Sequence, residues 1–179
     1  MNDGAMPTIL LAEDREDDIL LLQRAFKEGG VRYPLNIVRD GEEAISYLSG
    51  LGRYSNRERY PLPVLLLLDL SLPGTDGFEV LRWIRSRPDL KDLPVVVLTQ
   101  SDRIRDVNQA YRLGASSFIV KTEDFQDAVA FAQSMSEYWA NLKMNALKQS
   151  EYTLPPKENP FMHIPEPTDR PSSSSQFAE

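Results

Sequence analysis

Short, largely apolar runs alternate along the chain with longer segments in which apolar residues recur every three or four positions. Three of the runs are residues 8–12, 64–68 and 94–98, and shorter runs surround Ile37 and Ile119. Runs this short, without helical spacing, predict strands that are covered on both faces, as in the centre of a parallel sheet. The segments between them have the spacing of amphipathic helices, so we expect five strands that alternate with helices.

Charged residues, glycine and proline mark the expected ends of the helices. Asp17 and Asp18 lie where the first helix should begin, at the positive end of its dipole. Asp40 can cap the second helix, which Gly50 closes, and Pro88 ends the third.

The last predicted helix starts near Phe125 and can run to about Lys148, which is longer than a short sheet needs for its cover. Its end, residues 139–147, packs against a second copy of the chain or against the chain's own tail, or it overhangs in solvent. The sequence leaves these alternatives open.

Short connections and right-handed crossovers predict an α/β fold with a doubly wound, five-stranded parallel sheet. A flavodoxin-like strand order, 2-1-3-4-5, would make the first and third strands neighbours at a topological switch point. We expect an N-terminal extension at residues 1–7, a globular domain at 8–149, and a flexible tail at 150–179. The tail is rich in proline and serine, a composition that cannot build a core.

Residues 51–63 form a polar segment in which Arg53, Arg57 and Arg59 are interleaved with tyrosines. The segment is either a partner-contact loop or a solvated surface excursion. We expect the solvated excursion.

Four of the predicted strands end at polar functional groups: Glu13 and Asp14, Asp69, Thr99, and Lys121. Because the carboxyl ends of parallel strands share one edge of the sheet, these groups should converge there. Asp69 taken alone could equally cap the following loop by accepting hydrogen bonds from backbone amides. Four such endings form a pattern that favours a functional site.

Three carboxylates that lie close together repel one another unless a cation sits among them. Mg²⁺ suits such oxygen ligands, and Lys121 can offset the remaining charge. An aspartate nucleophile combined with Mg²⁺, a hydroxyl and a lysine suits the capture of a phosphoryl group. Lys121 and Thr99 would then stabilise its developing charge.

These residues resemble the receiver domain of two-component response regulators of the chemotaxis-regulator type, over roughly residues 9–142. Glu13 and Asp14 stand where that family keeps its acidic pair, and Asp69 stands where it keeps the phosphoacceptor. The other matching positions are the conserved hydroxyl and lysine, two loop positions and the switch aromatic: Thr99, Lys121, Pro73, Gly77 and Phe118.

The resemblance implies a metal site. Asp14 and Asp69 would ligate Mg²⁺ directly, together with the Ser71 backbone carbonyl. Glu13 would act mainly through water.

The resemblance also implies a switch. Phosphorylated Asp69 would draw Thr99 toward it and let Phe118 move inward, which is a small charge event that biases a two-state element. Without the Thr99 context, Phe118 would be interpreted as a static core aromatic.

Two positions depart from the family pattern. Thr122 follows Lys121 where the family usually has a proline after a cis peptide bond. A cis bond before threonine would cost about 3 kcal/mol, so we expect a trans bond and a differently set loop. Gln100 replaces the usual small residue after Thr99 and could narrow access to the phosphoryl group.

Three features are similar to single-domain regulators that are paired with bacteriophytochrome-type histidine kinases. They are the long polar segment before the third strand, the missing lysine-proline pair, and Tyr138-Trp139 in the last helix. Because those regulators often dimerise through their last helix, the resemblance implies a homodimer.

Composition narrows the class of protein. A formal charge of −7 argues against a nucleic-acid or anionic-membrane surface, and the absence of cysteine excludes disulfides and thiolate metal sites. No signal peptide or membrane-length apolar run is visible, so we expect a cytoplasmic protein. His163, the only histidine, lies among tail prolines, so a phosphoryl-donor histidine kinase would act in trans.

We therefore expect a single-domain response regulator that takes a phosphoryl group onto Asp69 with Mg²⁺ and signals through contacts with an unknown downstream protein. It would not be an enzyme beyond its self-catalysed phosphoryl transfer and slow self-dephosphorylation. A phosphohydrolase with an aspartate nucleophile would need a second acid where Ser71 stands, and no flavin-phosphate loop follows the first strand. A receiver-like scaffold that binds partners without phosphorylation is the remaining alternative.

Overall fold

Five strands alternate with five α-helices in the computed structural model, which describes residues 7–100 and 103–148. The strands are β1 (Ile9–Ala12), β2 (Leu35–Val38), β3 (Leu65–Asp69), β4 (Val95–Thr99) and β5 (Ser117–Val120). The helices are α1 (Glu16–Glu28), α2 (Gly41–Ser49), α3 (Gly77–Ser86), α4 (Ile104–Arg112) and α5 (Phe125–Lys148).

All neighbouring strands are parallel, and their order is β2-β1-β3-β4-β5. The predicted fold class and strand order are therefore confirmed. Every residue of β1, β3 and β4 is buried, as expected for the apolar runs from which these central strands were predicted.

Alternation along β3 builds one core on each face of the sheet, because successive side chains of a strand point to opposite sides. Leu66 and Leu68 belong to the core that also contains residues of α2 and α3. Leu65 and Leu67 belong to the core formed with α1 and α5. Each such leucine contributes roughly 1.5–3 kcal/mol through burial, so β3 stabilises both layers at once.

The predicted signals at helix ends are confirmed where they were most specific. The Asp40 carboxylate accepts a hydrogen bond from the Glu43 N–H at 2.6 Å and caps α2. The structure adds a reciprocal capping box that was not predicted, formed by Asp76 and Glu79 at the start of α3. Helix α5 begins at Phe125, as predicted, and this residue is 37% exposed.

The expectation that residues 51–63 form a solvated excursion holds for most of the segment, including the exposed Arg53 and Arg59, but not for its tyrosines. Tyr54 is only 5% exposed and belongs to the core beneath α2 and α3. Its ring centroid lies 4.9 Å from that of Tyr47 and 5.0 Å from that of Tyr60. A periodicity argument missed this packing because the tyrosines are spaced by a loop rather than by a helix or strand.

Arg57 attaches the same segment to the end of α2. Its guanidinium donates to the carbonyls of Tyr47, at 2.8 Å, and Leu48, at 2.7 Å. Gly50, with φ of +68°, permits this approach, since a Cβ there would lie 2.8 Å from the guanidinium. The arginine therefore gives the Leu48 carbonyl a donor and gives the Tyr47 carbonyl a second donor beside the Gly50 N–H.

Several predictions lie outside the described residues. They concern the extension before Pro7, the tail at 150–179, and the side chains of residues 139–147. The α5 backbone itself does continue to Lys148, as expected.

Candidate functional site

The register between β1 and β3 brings two acidic residues together. Ala12 pairs with Leu68, so Glu13 and Asp69 are the next residues along two adjacent strands. Both are buried, at 0% and 3% exposure. Parallel pairing thus converts two separate strand endings into one acidic pocket, as the sequence predicted.

Lys121 enters the same pocket from the end of β5, held by its backbone N–H, which donates to the Thr99 carbonyl at 2.7 Å. Its Nζ lies 2.5 Å from Glu13 Oε2, 2.6 Å from Asp69 Oδ2 and 2.9 Å from Asp18 Oδ2. The three donors of the ammonium group therefore have three carboxylate acceptors.

Asp18 is a member of this cluster that sequence reasoning missed. Its position in the first turn of α1 was attributed to a favourable interaction with the helix dipole. That interaction does not depend on the direction in which the side chain points. The fold places its carboxylate 2.9 Å from Lys121, although the two residues are 103 positions apart. Only its position one helical turn beyond the acidic pair could have suggested this role.

Burial and charge change the pKa of two groups in the pocket. Burial raises the pKa of the Glu13 carboxyl, although the hydrogen bond and charge of Lys121 act in the opposite direction. Burial alone would lower the pKa of Lys121, but its hydrogen bonds to Asp69 and Glu13 outweigh burial and raise it. Lys121 therefore stays protonated among the carboxylates that it contacts.

The loop after β3 orients the Asp69 carboxylate. The Ser71 N–H donates to Asp69 Oδ1 at 3.0 Å, while Lys121 binds the other oxygen. Gly77, the first residue of α3, packs directly against this loop. A Cβ at this position would lie 2.2 Å from the Asp69 carbonyl oxygen, so a larger residue would not fit. Asp69 therefore does cap the following loop, through the hydrogen bond from the Ser71 N–H, and it contacts Lys121 at the same time.

Glu13, Asp14 and Asp69 offer carboxylate oxygens that lie within 4.8 Å of one another. Asp14 is exposed whereas the other two are buried, so the group opens to solvent on the Asp14 side. Oxygen donors at this spacing fit a hard divalent cation, which would also relieve their mutual repulsion. Ser71 is exposed, and the predicted ligation of a metal ion by its backbone carbonyl stays a prediction.

Thr99 and Phe118 lie on adjacent strands close to the pocket. Thr99, the last residue of β4, is 1% exposed. Phe118 is partly buried against a small cluster formed by Leu70, Val97 and Ala110. It therefore stands at the border between the core and the surface rather than deep inside it.

The two departures from the family pattern leave the pocket intact. Among the described residues no peptide bond is cis, as expected for Thr122. The Thr122 hydroxyl instead accepts a hydrogen bond from the Asp124 N–H at 3.0 Å and lies 3.3 Å from Asp127 Oδ2. Gln100 is exposed at the edge of the sheet.

Within the described part of the chain, no helix combines the length and apolar character needed to cross a membrane.

Comparison with known proteins agrees with this architecture. The model of the response regulator receiver domain family matches residues 9–133. The chain is 40% identical over 141 residues to the response regulator Rcp1 of Synechocystis sp., covering 78% of this chain and 94% of that protein. A solved structure of Rcp1 is its Mn²⁺-bound form, which has 37% identity and a TM-score of 0.67 and covers 84% of this chain and 99% of that one.

Two further solved structures belong to phytochrome-linked regulators. The phosphorylated cyanobacterial phytochrome response regulator RcpA is 39% identical, with a TM-score of 0.69, and covers 76% of this chain and 95% of its own. The bacteriophytochrome response regulator AtBRR is 36% identical, with a TM-score of 0.61, and covers 72% and 90% respectively. By its sequence, its strand order and the layout of its acidic pocket, the chain belongs to the response regulator receiver domain family.

Proposed function

We propose that the chain accepts a phosphoryl group on the Asp69 carboxylate. The observation that carries this proposal is the 2.6 Å contact between Asp69 Oδ2 and the buried Lys121 ammonium, beside the acidic group of Glu13 and Asp14. The Lys121 ammonium is already in place to stabilise the negative charge that develops when a phosphoryl group is transferred to Asp69. This arrangement suits phosphoryl capture rather than loop capping alone.

The donor is a phosphorylated histidine of a kinase that acts in trans. An Asp69 oxygen attacks phosphorus, an O–P bond forms, and the P–N bond to the imidazole breaks, so that the imidazole leaves with the electron pair and takes up a proton. Lys121 donates a hydrogen bond to a phosphoryl oxygen, and the Thr99 hydroxyl donates to another. Positioning and electrostatics supply most of the catalysis in such a transfer.

Mg²⁺ is the cation that we propose for the group formed by Glu13, Asp14 and Asp69, since its preference is for carboxylate and carbonyl oxygens. When bound, it would neutralise negative charge on the carboxylates and on the transferred group. Asp14 and Asp69 would hold it directly, together with the Ser71 carbonyl, and Glu13 would act through water.

The readout that we propose is a change around Thr99 and Phe118. Phe118 is partly buried against the small cluster of Leu70, Val97 and Ala110, which is separate from the two main cores, so a change of its rotamer need not open either of them. Movement of Thr99 toward a phosphoryl group would provide the space.

The partners that we propose follow from the relatives. Similarity to RcpA and AtBRR supports a phytochrome-type histidine kinase as the phosphoryl donor, in the cytoplasm, where ATP is available to such a kinase.

We also propose a homodimer through α5, since Ser136 contacts Gly30 just past the end of α1 and α5 continues from there to Lys148. An unidentified protein would receive the signal.

Incubation of the full chain with acetyl phosphate tests the phosphoacceptor. We expect a gain of one phosphoryl group in the intact mass with Mg²⁺, no gain with EDTA, and no gain for Asp69→Asn. Asp76→Asn, which changes an exposed aspartate in the next helix cap, serves as the matched control and should be labelled like the wild type. Labelling of Asp69→Asn at the full rate would disprove the acceptor. Partner binding that is unaffected by Asp69→Ala, with no labelling, would support the scaffold instead.

A further inference from the structure

Asp18 provides the third hydrogen-bond acceptor of the Lys121 ammonium. Its Oδ2 lies 2.9 Å from Nζ, and its side chain is 17% exposed, so the contact is largely sheltered from water. Asp18 belongs neither to the phosphoacceptor nor to the group of three carboxylates that fits a metal. It nevertheless contacts the nitrogen that faces the reacting carboxylate.

Three acceptors determine the direction in which the ammonium points. Its N–H bonds are arranged tetrahedrally, so two fixed bonds leave one direction for the third. Glu13 is itself fixed, because its other oxygen accepts a hydrogen bond from the Arg15 N–H at 3.1 Å. The Asp18 backbone is held in the first turn of α1, and its Oδ2 also lies 3.8 Å from Arg15 Nε. The remaining N–H of Lys121 is thereby directed at Asp69.

The segment after Lys121 has its own hydrogen bonds and does not depend on Asp18 for its shape. The Thr122 hydroxyl and the Asp124 carboxylate bind backbone and side-chain groups within residues 122–127. Loss of the Asp18 carboxylate should therefore act on the Lys121 side chain rather than on the fold of this loop.

We propose that Asp18 is a positioning residue for phosphoryl transfer to Asp69, an inference that rests on the function proposed above. Asp18 and Glu13 keep two N–H bonds of Lys121 while the third passes from Asp69 Oδ2 to a phosphoryl oxygen. Lys121 loses no proton in this exchange. Without Asp18 the ammonium can rotate, and the charge that develops on the phosphoryl group meets a poorly aligned donor.

The test compares Asp18→Ala with Asp18→Asn in the full chain, with Asp17→Ala as the matched control. Asparagine keeps an oxygen that accepts the hydrogen bond but removes the charge, whereas alanine removes both. Asp17 lies one residue earlier on α1, is exposed and carries the same charge. Rates of labelling by acetyl phosphate at saturating Mg²⁺ are read by intact mass, and Mg²⁺ affinity is measured by calorimetry.

We expect labelling of Asp18→Ala to be slower by about tenfold, and that of Asp18→Asn and Asp17→Ala to stay within about twofold of the wild type. Mg²⁺ affinity should stay within about twofold throughout. A wild-type rate for Asp18→Ala would overturn the proposal, as would equal slowing of the alanine and asparagine variants, which would indicate charge rather than position. Slowing that follows a loss of Mg²⁺ affinity would also overturn it.

Two further provisions separate the possible failures. Asp18→Ser, whose hydroxyl is too short to reach Nζ, replaces Asp18→Ala if the alanine variant does not fold. A wild-type chain that takes no label at all would contradict the proposed function and this inference together, whereas normal wild-type labelling with no difference among the variants would contradict this inference alone.

Discussion

Glu13 shows at the scale of single residues how the pocket balances charge. Three carboxylates, those of Glu13, Asp18 and Asp69, contact the Lys121 ammonium, and the Asp14 carboxylate lies beside those of Glu13 and Asp69. Like charges about 4 Å apart repel by roughly 4 kcal/mol at an effective dielectric constant of 20, and one lysine cannot offset every such pair. Burial is the main cause that raises the pKa of the Glu13 carboxyl, and the negative charge of Asp69 adds to it.

The raised pKa of Glu13 predicts an unusual dependence of stability on pH. A carboxyl group whose pKa is higher in the folded than in the unfolded state stabilises the fold fully below the unfolded value, about 4.3, and this contribution is lost as pH rises through the folded pKa. In EDTA, the free energy of unfolding of the wild type relative to Glu13→Gln should therefore fall as the pH is raised above about 4. Urea unfolding across this range measures it.

Glu28→Gln is the control for this pH series, since Glu28 is an exposed carboxylate at the end of α1. The fall with pH expected for Glu13 should exceed any trend measured for this control. A rise in the Glu13 difference with pH would mean that the ion pair with Lys121 outweighs burial.

Helix α2 and the segment that follows it illustrate the scale of elements. The carbonyls of Tyr47 and Leu48, in the last turn of α2, bind the Arg57 guanidinium, which also donates to the Tyr60 carbonyl at 3.2 Å. The helix, the tyrosine cluster and the connection to β3 thus form one packed unit. A segment of polar composition acts here as part of the core.

Arg57→Ala should destabilise the fold by roughly 1–3 kcal/mol, because it removes the hydrogen bonds to three carbonyls, of which the Tyr47 carbonyl keeps the Gly50 N–H as a donor. Arg57→Lys should recover only part of this loss, since an ammonium lacks the planar fork that reaches three carbonyls. Arg59→Ala is the control, because Arg59 is exposed and only stacks over Tyr60. Urea unfolding at neutral pH measures the three variants, and equal losses for Arg57→Ala and Arg59→Ala would contradict the capping role.

At the scale of the whole molecule, the pocket and the end of the long helix lie at opposite ends of one layer. Helices α1 and α5 pack against each other on the same face of the sheet, and both begin near the pocket. From Phe125 to Trp139, α5 spans about 20 Å at the rise of an α-helix. A contact between copies at Trp139 would therefore be remote from Asp69, and coupling between them would have to pass along α5.

Trp139→Ala should raise the monomer fraction if α5 forms the proposed dimer. Sedimentation velocity over a range of concentrations measures this fraction. Phe125→Ala is the matched control, because it removes an exposed aromatic residue from the other end of the same helix and should leave the monomer fraction unchanged. An unchanged fraction for Trp139→Ala would favour a solvated overhang.

The sequence by itself determined the fold class, the strand order and the five pocket residues that end strands. Apolar runs read as buried strands, and parallel strands present their carboxyl ends at one edge, so Glu13, Asp14, Asp69, Thr99 and Lys121 could be placed near one another without coordinates. Local chemistry also determined the cap at Asp40. These features follow from short-range spacing and from rules that hold for any doubly wound sheet.

Only the tertiary structure decided the contacts of Asp18 and the packing of residues 51–63. Asp18 meets Lys121 across 103 positions, and Tyr54 joins a core whose other members come from separate elements. Neither contact can be predicted from the periodicity of the sequence, because each depends on how a helix or a loop is oriented against the sheet. Periodicity reports which face of an element is buried, whereas the side chains that meet across elements are set by the packing of the whole fold.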